Sequence, residues 1–405
     1  MSQPLLSLLT FALAAALAPL LATAVGRLVR VPLVVIEIMF GIVAGPTLLG
    51  WIQDEPITAT LARLGAVTLF YLAGYEIDTA AIRGRPIRNA FLGWGISIAL
   101  GIAVGIAVGS SSTAGIYIGI CLATTTLSTI APVLRDAGQL QTPFGRGVIA
   151  AGTAGEFGPL LALALLLSGR SPIVAAIALI AFAAVTLAGF WLATRGLHPV
   201  LRSLIDTTLR TSGQFAVRLI FAIVAVLATV SIEMGLDMLV GAFIAGMVGR
   251  ILLADVAEEE RSTIEAKVEA VGFGLLIPIF FVHTGVTFDL RGLLGDPRSL
   301  MLLPAILVAL IVVRGIPSLL SVAPGASRRS RIAHVLFSAT GLAVIVAVAN
   351  QGGASGDLSS TTVAALIGAG MLSVLFFPLI ALSVKEQTID LDQSTPGRLS
   401  SIADE

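Results

Sequence analysis

GVIAAGTAGEFGPLLALALLL, residues 147–167, is a membrane-length apolar run with a single carboxylate, Glu156, near its middle. An acid at the centre of a membrane helix costs roughly 3 kcal/mol on insertion scales, so such groups face a bundle interior or a wet cavity and serve ion or proton movement. Thr153 lies three residues earlier on the same helical face, and the glycines at 152, 155 and 158 strip bulk from around the carboxylate. Pro159 has no N–H, so the carbonyl of Gly155 loses its helical partner beside the acid and is expected to be a hard oxygen free for a cation. A glutamate kept protonated, or paired with an arginine for packing, is the alternative reading of the same residues.

The rest of the chain agrees with a membrane setting: 57% of residues are hydrophobic, 12% are charged and the mean hydropathy is +1.00. This is the composition of an all-α polytopic membrane protein. At about 20 residues per crossing, helices are predicted near 4–29, 32–51, 57–78, 88–110, 113–137, 145–168, 172–195, 213–232, 236–254, 268–288, 300–322, 331–351 and 360–384, thirteen in all. The first segment, LLSLLTFALAAALAPLLATA (5–24), has a signal peptide's small residues but no preceding basic residue, and reads as a retained helix.

With the N-terminus outside, the predicted inner loops carry Arg27, Arg30, Arg83, Arg85, Arg88, Arg135, Arg146, Arg195, Arg202, Arg210, Arg250, Arg261, Lys267, Arg328, Arg329 and Arg331, whereas the outer ones hold mainly Arg170, Arg291 and Arg298. The positive-inside rule therefore predicts an N-terminus outside and a C-terminus in the cytoplasm. A net charge of zero gives no reason to expect a nucleic-acid partner. ADVAEEERSTIEAKVEA (254–270) reads as a cytoplasmic interfacial helix, and the polar tail 385–405 as disordered. Cys121, the single cysteine, reads as a small core residue. The chain shows no zincin His-Glu signature, no P-loop and no triad candidate, so it does not read as an enzyme, and no cofactor is expected.

Two phrases recur about 200 residues apart: GIVAG (41–45) with GAFIAG (241–246), then FYLAGYEID (70–78) with FFVHTGVTFD (280–289). Order and spacing are kept, so predicted helices 2–6 and 9–13 read as copies. The copies are seven helices apart, an odd number, and so enter the membrane from opposite sides. That is the inverted repeat of secondary transporters, with a midplane site where broken helices meet. The domain organisation follows: a single transporter domain, with repeat one at about 31–168, linking helices at 172–232 and repeat two at about 236–384.

The breaks are predicted in helices 5 and 12. CLATTTLSTIAPVL places Thr124, Thr125, Thr126, Ser128 and Thr129 in mid-membrane, where Pro132 frees the carbonyl of Ser128; LFSATGLAVIVAVANQGG places Ser338, Thr340 and Gly341 at the equivalent point. Hydroxyls can instead bond back to their own helix. Two clusters at repeat-equivalent positions favour unwound backbone lining a cavity.

VPLVVIEIMFGIVAGPTLLGW (31–51), LGAVTLFYLAGYEID (64–78), LATTTLSTIAPVLRDAGQLQTPFGRG (122–147), MLVGAFIAGMVG (238–249) and LIPIFFVHTGVTFDL (276–290) resemble, in order, the signatures of the monovalent cation-proton antiporter superfamily. The resemblance implies a homodimer in which helices 4–6 and 11–13 form a mobile core that slides as an elevator. It places Glu156 where the family has its ion-binding aspartate and Gly155 where it has Asp, Asn or Gln. Thr125-Thr126 matches the family's Thr-Asp or Thr-Ser, and Arg314 its basic residue of helix 11. In one branch that arginine pairs with a glutamate, and here Ala151 stands at that position.

The residues then imply a mechanism. Proton and monovalent cation compete for Glu156, with Thr125, Thr126, Ser128, Thr153 and Gly155 as candidate cation ligands and Ser338 and Thr340 contributed by the second broken helix. One carboxylate takes one proton or one Na+ or K+, and a neutralised core crosses the membrane cheaply, so electroneutral one-for-one exchange is expected. Arg314, with its usual acid missing, is expected to compensate Glu156 directly or through water, or else to cap helix carbonyls. Glu37 and His283 read as pH-responsive or structural groups. His198 and His334 are expected to be solvated near cytoplasmic ends, and Glu76 and Asp78 to lie at the inner surface. Alternative functions are export of an organic or ionophore-complexed cation by the same fold, or a non-transporting membrane sensor or subunit.

Overall fold

The computed structural model describes residues 9–21 (apart from 12 and 15), 32–76, 85–167, 171–188, 214–253, 256–295 and 297–386, and every regular element among them is helical. In chain order these are α1 (Leu9–Leu21), α2 (Leu33–Ala44), α3 (Pro56–Glu76), α4 (Arg85–Val108), α5 (Ser112–Leu122), α6 (Leu127–Asp136), α7 (Pro143–Leu166), α8 (Pro172–Ala188), α9 (Phe215–Glu233) and α10 (Met238–Leu252). Then come α11 (Glu258–Val271), α12 (Ile277–Val286), α13 (Leu290–Gly295), α14 (Pro297–Ala309), α15 (Arg328–Ser338), α16 (Ala343–Ala354) and α17 (Ser360–Glu386). Among the described residues eight helical runs are long and apolar enough to cross a membrane, and α1, α2, α5, α8 and α10 are shorter apolar helices. His198, Asp78 and the tail beyond residue 386 lie outside the described residues.

Local sequence explains where the helices differ from the predicted spans. The second span stops at Ala44, not near 51, because Gly45 turns extended and Gly50 takes a φ of 66° that favours glycine. The short linker SIEMGLD does separate two helices: Gly235 has a φ of 76°, and the Asp237 carboxylate caps α10 by accepting from the Leu239 N–H at 2.8 Å. The acidic segment runs straight into the next span, since α11 and α12 are joined by a π turn at Gly272–Leu276 into one helical run from Glu258 to Gly295. At about 1.5 Å per residue such a run exceeds the ~30 Å hydrocarbon layer, so the polar α11 end projects beyond it. Thirdly, the predicted spans 113–137 and 331–351 are each interrupted, between Leu122 and Leu127 and between Ser338 and Ala343.

The sequence repeat becomes a pair of matching helix crossings. In the first repeat α2 packs on α12; in the second, α10 packs on α3. Gly45 of GIVAG lies against Val286, and Gly246 of GAFIAG lies against Tyr75, positions equivalent in the two phrases. A Cβ at Gly246 would lie 2.7 Å from the Tyr75 nitrogen and 3.0 Å from the Gly74 carbonyl carbon, both rigid backbone. Gly246→Leu is therefore expected to force α3 and α10 apart and destabilise by about 1–3 kcal/mol or more, seen as a lower thermal midpoint in detergent. Gly274→Ala, where no atom lies within 4 Å of the added Cβ, should leave the midpoint unchanged.

The α2–α3 and α10–α12 helices form one bundle, a scaffold. The other bundle, a core, is built symmetrically: α4 packs on α7 as α14 packs on α17, and each broken pair, α5/α6 and α15/α16, contacts the long helix that follows it. Between the bundles, Phe157 of α7 stacks on Phe243 of α10 at 5.3 Å between ring centroids.

Candidate ion-binding site

The two breaks cross each other and are stitched by backbone. The Thr126 N–H donates to the Thr340 carbonyl at 2.9 Å, and the Leu342 N–H donates to Thr126 Oγ1 at 2.8 Å. Each break thus satisfies the groups the other would leave bare, which is how irregular backbone survives at membrane depth. The α6 N-terminus begins at Leu127 and carries a partial positive charge, whereas α5 and α15 end nearby at Leu122 and Ser338 with negative ends.

The site's two charges sort themselves by these polarities. Glu156, 4% exposed, lies on α7 beside Leu127, the first residue of α6. A helix N-terminus is a natural place for a carboxylate. Arg314 is fully buried at the π turn Leu310–Gly315, and sits on the negative side. Its Nε donates to Thr125 Oγ1 at 2.7 Å, that hydroxyl donates to the Ser338 carbonyl at 2.6 Å, and Nη2 donates to the Ala151 carbonyl. The expected direct contact with Glu156 is not formed: among the described residues no carboxylate comes within 4 Å of the guanidinium, which meets a hydroxyl and a helix carbonyl instead. Nη1 and Ser338 Oγ, both buried, have no hydrogen-bond partner in this arrangement.

Gly155 is where the guanidinium needs space. A Cβ there would lie 2.5 Å from Arg314 Nη2 and 2.7 Å from Thr125 Cβ, so the position opposite the broken helix admits no side chain while Arg314 keeps this pose. Its carbonyl, expected to be free because of Pro159, accepts from the Thr125 N–H at 2.9 Å. The unwound strand has used the oxygen that the proline released, and one lone pair remains.

The other predicted hydroxyls divide into two groups. Thr125 and Thr126 reach across to the second break, as above. Thr153 and Thr340 bond back to their own helices, to the carbonyls of Ile149 and Leu336, each at 3.0 Å. Backbone Ser128 lies in the first turn of α6. Ser373 of α17 escaped the sequence reading: it receives the Gly341 N–H and donates to the Gly341 carbonyl, both at 3.1 Å. It stands opposite the second break as Glu156 stands opposite the first, so the repeat itself was the signal that would have found it.

Other candidates lie away from this centre. Glu37, 2% exposed, is on α2, which packs on α12. His283, in the last turn of α12, lies 3.1 Å from the Asp54 carboxylate. His334 is a correction: expected in water, it is 1% exposed, 3.0 Å from Ser321 Oγ and edge-on to Phe144. The kink at Pro317–Ser321 folds over it and seals the end of α15.

A family profile described as sodium/hydrogen exchanger, transmembrane, matches residues 12–382. YjbQ of Bacillus subtilis (strain 168) is 26% identical over 369 residues, 86% of this chain; the chain spans 58% of that relative's length. The Na(+)/H(+) antiporter of Enterococcus hirae is 26% identical over 287 residues, 67% of this chain and 71% of the relative. Among solved structures, the sodium proton antiporter MjNhaP1 of Methanocaldococcus jannaschii superposes with a TM-score of 0.64 at 16% identity, covering 98% of this chain and 100% of the other, so the fold is shared. The profile match covers most of the sequence and the crossed broken helices are in place: the chain belongs to the transmembrane sodium/hydrogen exchanger family.

Proposed function

We propose that this protein is a secondary active transporter exchanging one monovalent cation, Na+ or K+, for one proton, with Glu156 as the group both compete for. The observation that carries the proposal is a buried carboxylate held at the N-terminus of the broken helix α6. The names of relatives agree with it, including the E. hirae Na(+)/H(+) antiporter and the Na(+)/H(+)-K(+) antiporter GerN of Bacillus cereus, 24% identical over 269 residues. Glu156 can ligate a cation together with Thr126 and Ser128 backbone oxygens, or can take a proton. Either neutralises it, and only then is the core, α4–α7 with α14–α17, cheap to move across the membrane as an elevator against the scaffold. Arg314 keeps the same charge in both legs, so exchange of one cation for one proton moves no net charge. The protein is proposed to be a homodimer in the plasma membrane with the Glu76 end of the bundle in the cytoplasm, where the arginine-rich loops lie. It performs no covalent chemistry and needs no cofactor.

Export of a larger organic cation is disfavoured by the filled space beside Gly155. Proteoliposomes loaded with a pH dye test both readings: Na+, K+ or Li+ pulses should move lumenal protons, whereas a tetraalkylammonium pulse should not. Silence for all three alkali ions would leave the sensor reading in place.

A further inference from the structure

The two bundles are tied together by side chains at one end of the molecule. Asn350 Nδ2 of α16 donates to Thr284 Oγ1 of α12 at 3.4 Å, and the neighbouring Gln351 side chain lies beside the Asp237 carboxylate at the start of α10. Asn350 and Gln351 are consecutive, so they point about 100° apart around the helix and engage two different scaffold helices. At the opposite end Glu76 of α3 and Arg135 of α6 are both exposed.

The helix bearing the two amides also reaches the candidate ion site. α16 is a single uninterrupted helix of 12 residues, about 18 Å long at 1.5 Å per residue. Its N-terminal cap, Leu342, is held by Thr126 Oγ1, and its far end carries Asn350 and Gln351. Val344, Ile345, Val346 and Val348, each at most 1% exposed, lock its length into the core, so it shifts as one piece.

We propose that Asn350 and Gln351, with Thr284 and Asp237, form a latch that holds the Asp237 end closed while the site is open to the Glu76 end, and that α16 is the strut by which events at Thr126 reach it. The inference rests on the exchange reading of the site. Movement of the core breaks both contacts together, and α16 makes their breaking conditional on the state of the broken-helix crossing. Losing both contacts shifts a two-state ratio by roughly 10-fold.

The latch is tested with thiols, for which the chain is suited because its one cysteine, Cys121, is fully buried. Thr284→Cys with Asn350→Cys, bridged in membranes by a short reductant-cleavable bis-methanethiosulfonate, should stop cation-driven proton movement, and reductant should restore it. Bridged protein that exchanges at the unbridged rate would overturn the latch. A second readout needs no transport: a Glu76→Cys reporter should be labelled by a membrane-impermeant maleimide several-fold more slowly when Asn350→Leu and Gln351→Met are added, because the population leaves the Glu76-open state. An unchanged labelling rate would also overturn it. If labelling shifts but wild-type protein exchanges no alkali ion, the latch stands and the exchange reading fails.

Discussion

Glu156→Gln is expected to reduce cation-driven proton movement to the level of protein-free vesicles, a loss of about 100-fold or more for a group that carries the exchanged charge. The amide has nearly the volume and shape of the carboxylate it replaces, so the packing around it and the fold are retained. Stability in detergent should be equal or slightly higher, because a neutral group replaces a charge that is costly to bury. Glu156→Asp separates charge from reach. The carboxylate survives but withdraws by one methylene from α6, so KM for the cation should rise by about tenfold, equivalent to ~1.4 kcal/mol of binding. Equal activity in the Gln variant would remove Glu156 from the mechanism.

Arg314→Met is the second large effect, and here stability and function should part company. The guanidinium makes charge-assisted hydrogen bonds to Thr125 and Ala151, each worth about 1.5–3 kcal/mol. Against this stands the burial of a full charge without a carboxylate within 4 Å, a penalty of several kcal/mol. The two terms nearly cancel, and methionine fills a similar volume, so the thermal midpoint should move little. Transport should change strongly. Without the fixed positive charge Glu156 holds both proton and cation more tightly, so KM and turnover fall together. A KM that rises with kcat unchanged would show that Arg314 serves binding rather than release. Arg314→Lys keeps the charge but cannot reach Thr125 and Ala151 with a planar fork, and should fall between the two.

The sequence carried the architecture further than the site. Hydropathy gave the all-helical membrane class, and the GIVAG and FYLAG phrases marked the repeat, whose glycines the structure places at two close helix crossings. The breaks at 123–126 and 339–342 were legible from clustered hydroxyls beside glycine and proline. What stayed hidden depends on where side chains go once helices cross. Gly155 read as an absent acid, but in the structure it is the clearance for Arg314. The carbonyl above Pro159 read as free, because nothing in a helix pattern says that Thr125, 30 positions earlier, will bring its N–H to it. His334 read as solvated from its place near a charged loop; Gly315 and Pro317 mark the kink beside it, but nothing in the local pattern says that the turn packs onto α15.

The central claim is that a single carboxylate trades one cation for one proton, and the most direct measurement is the voltage dependence of that trade. Proteoliposomes at fixed pH and Na+ or K+ gradients would be read with a lumenal pH dye, with the membrane potential clamped at values on either side of zero and then left free. One-for-one exchange predicts the same rate at every potential and the same reversal point, where the inside-to-outside ratios of cation and proton are equal. A rate or reversal point that follows the voltage would contradict it, and would mean that a second charge crosses with each cycle.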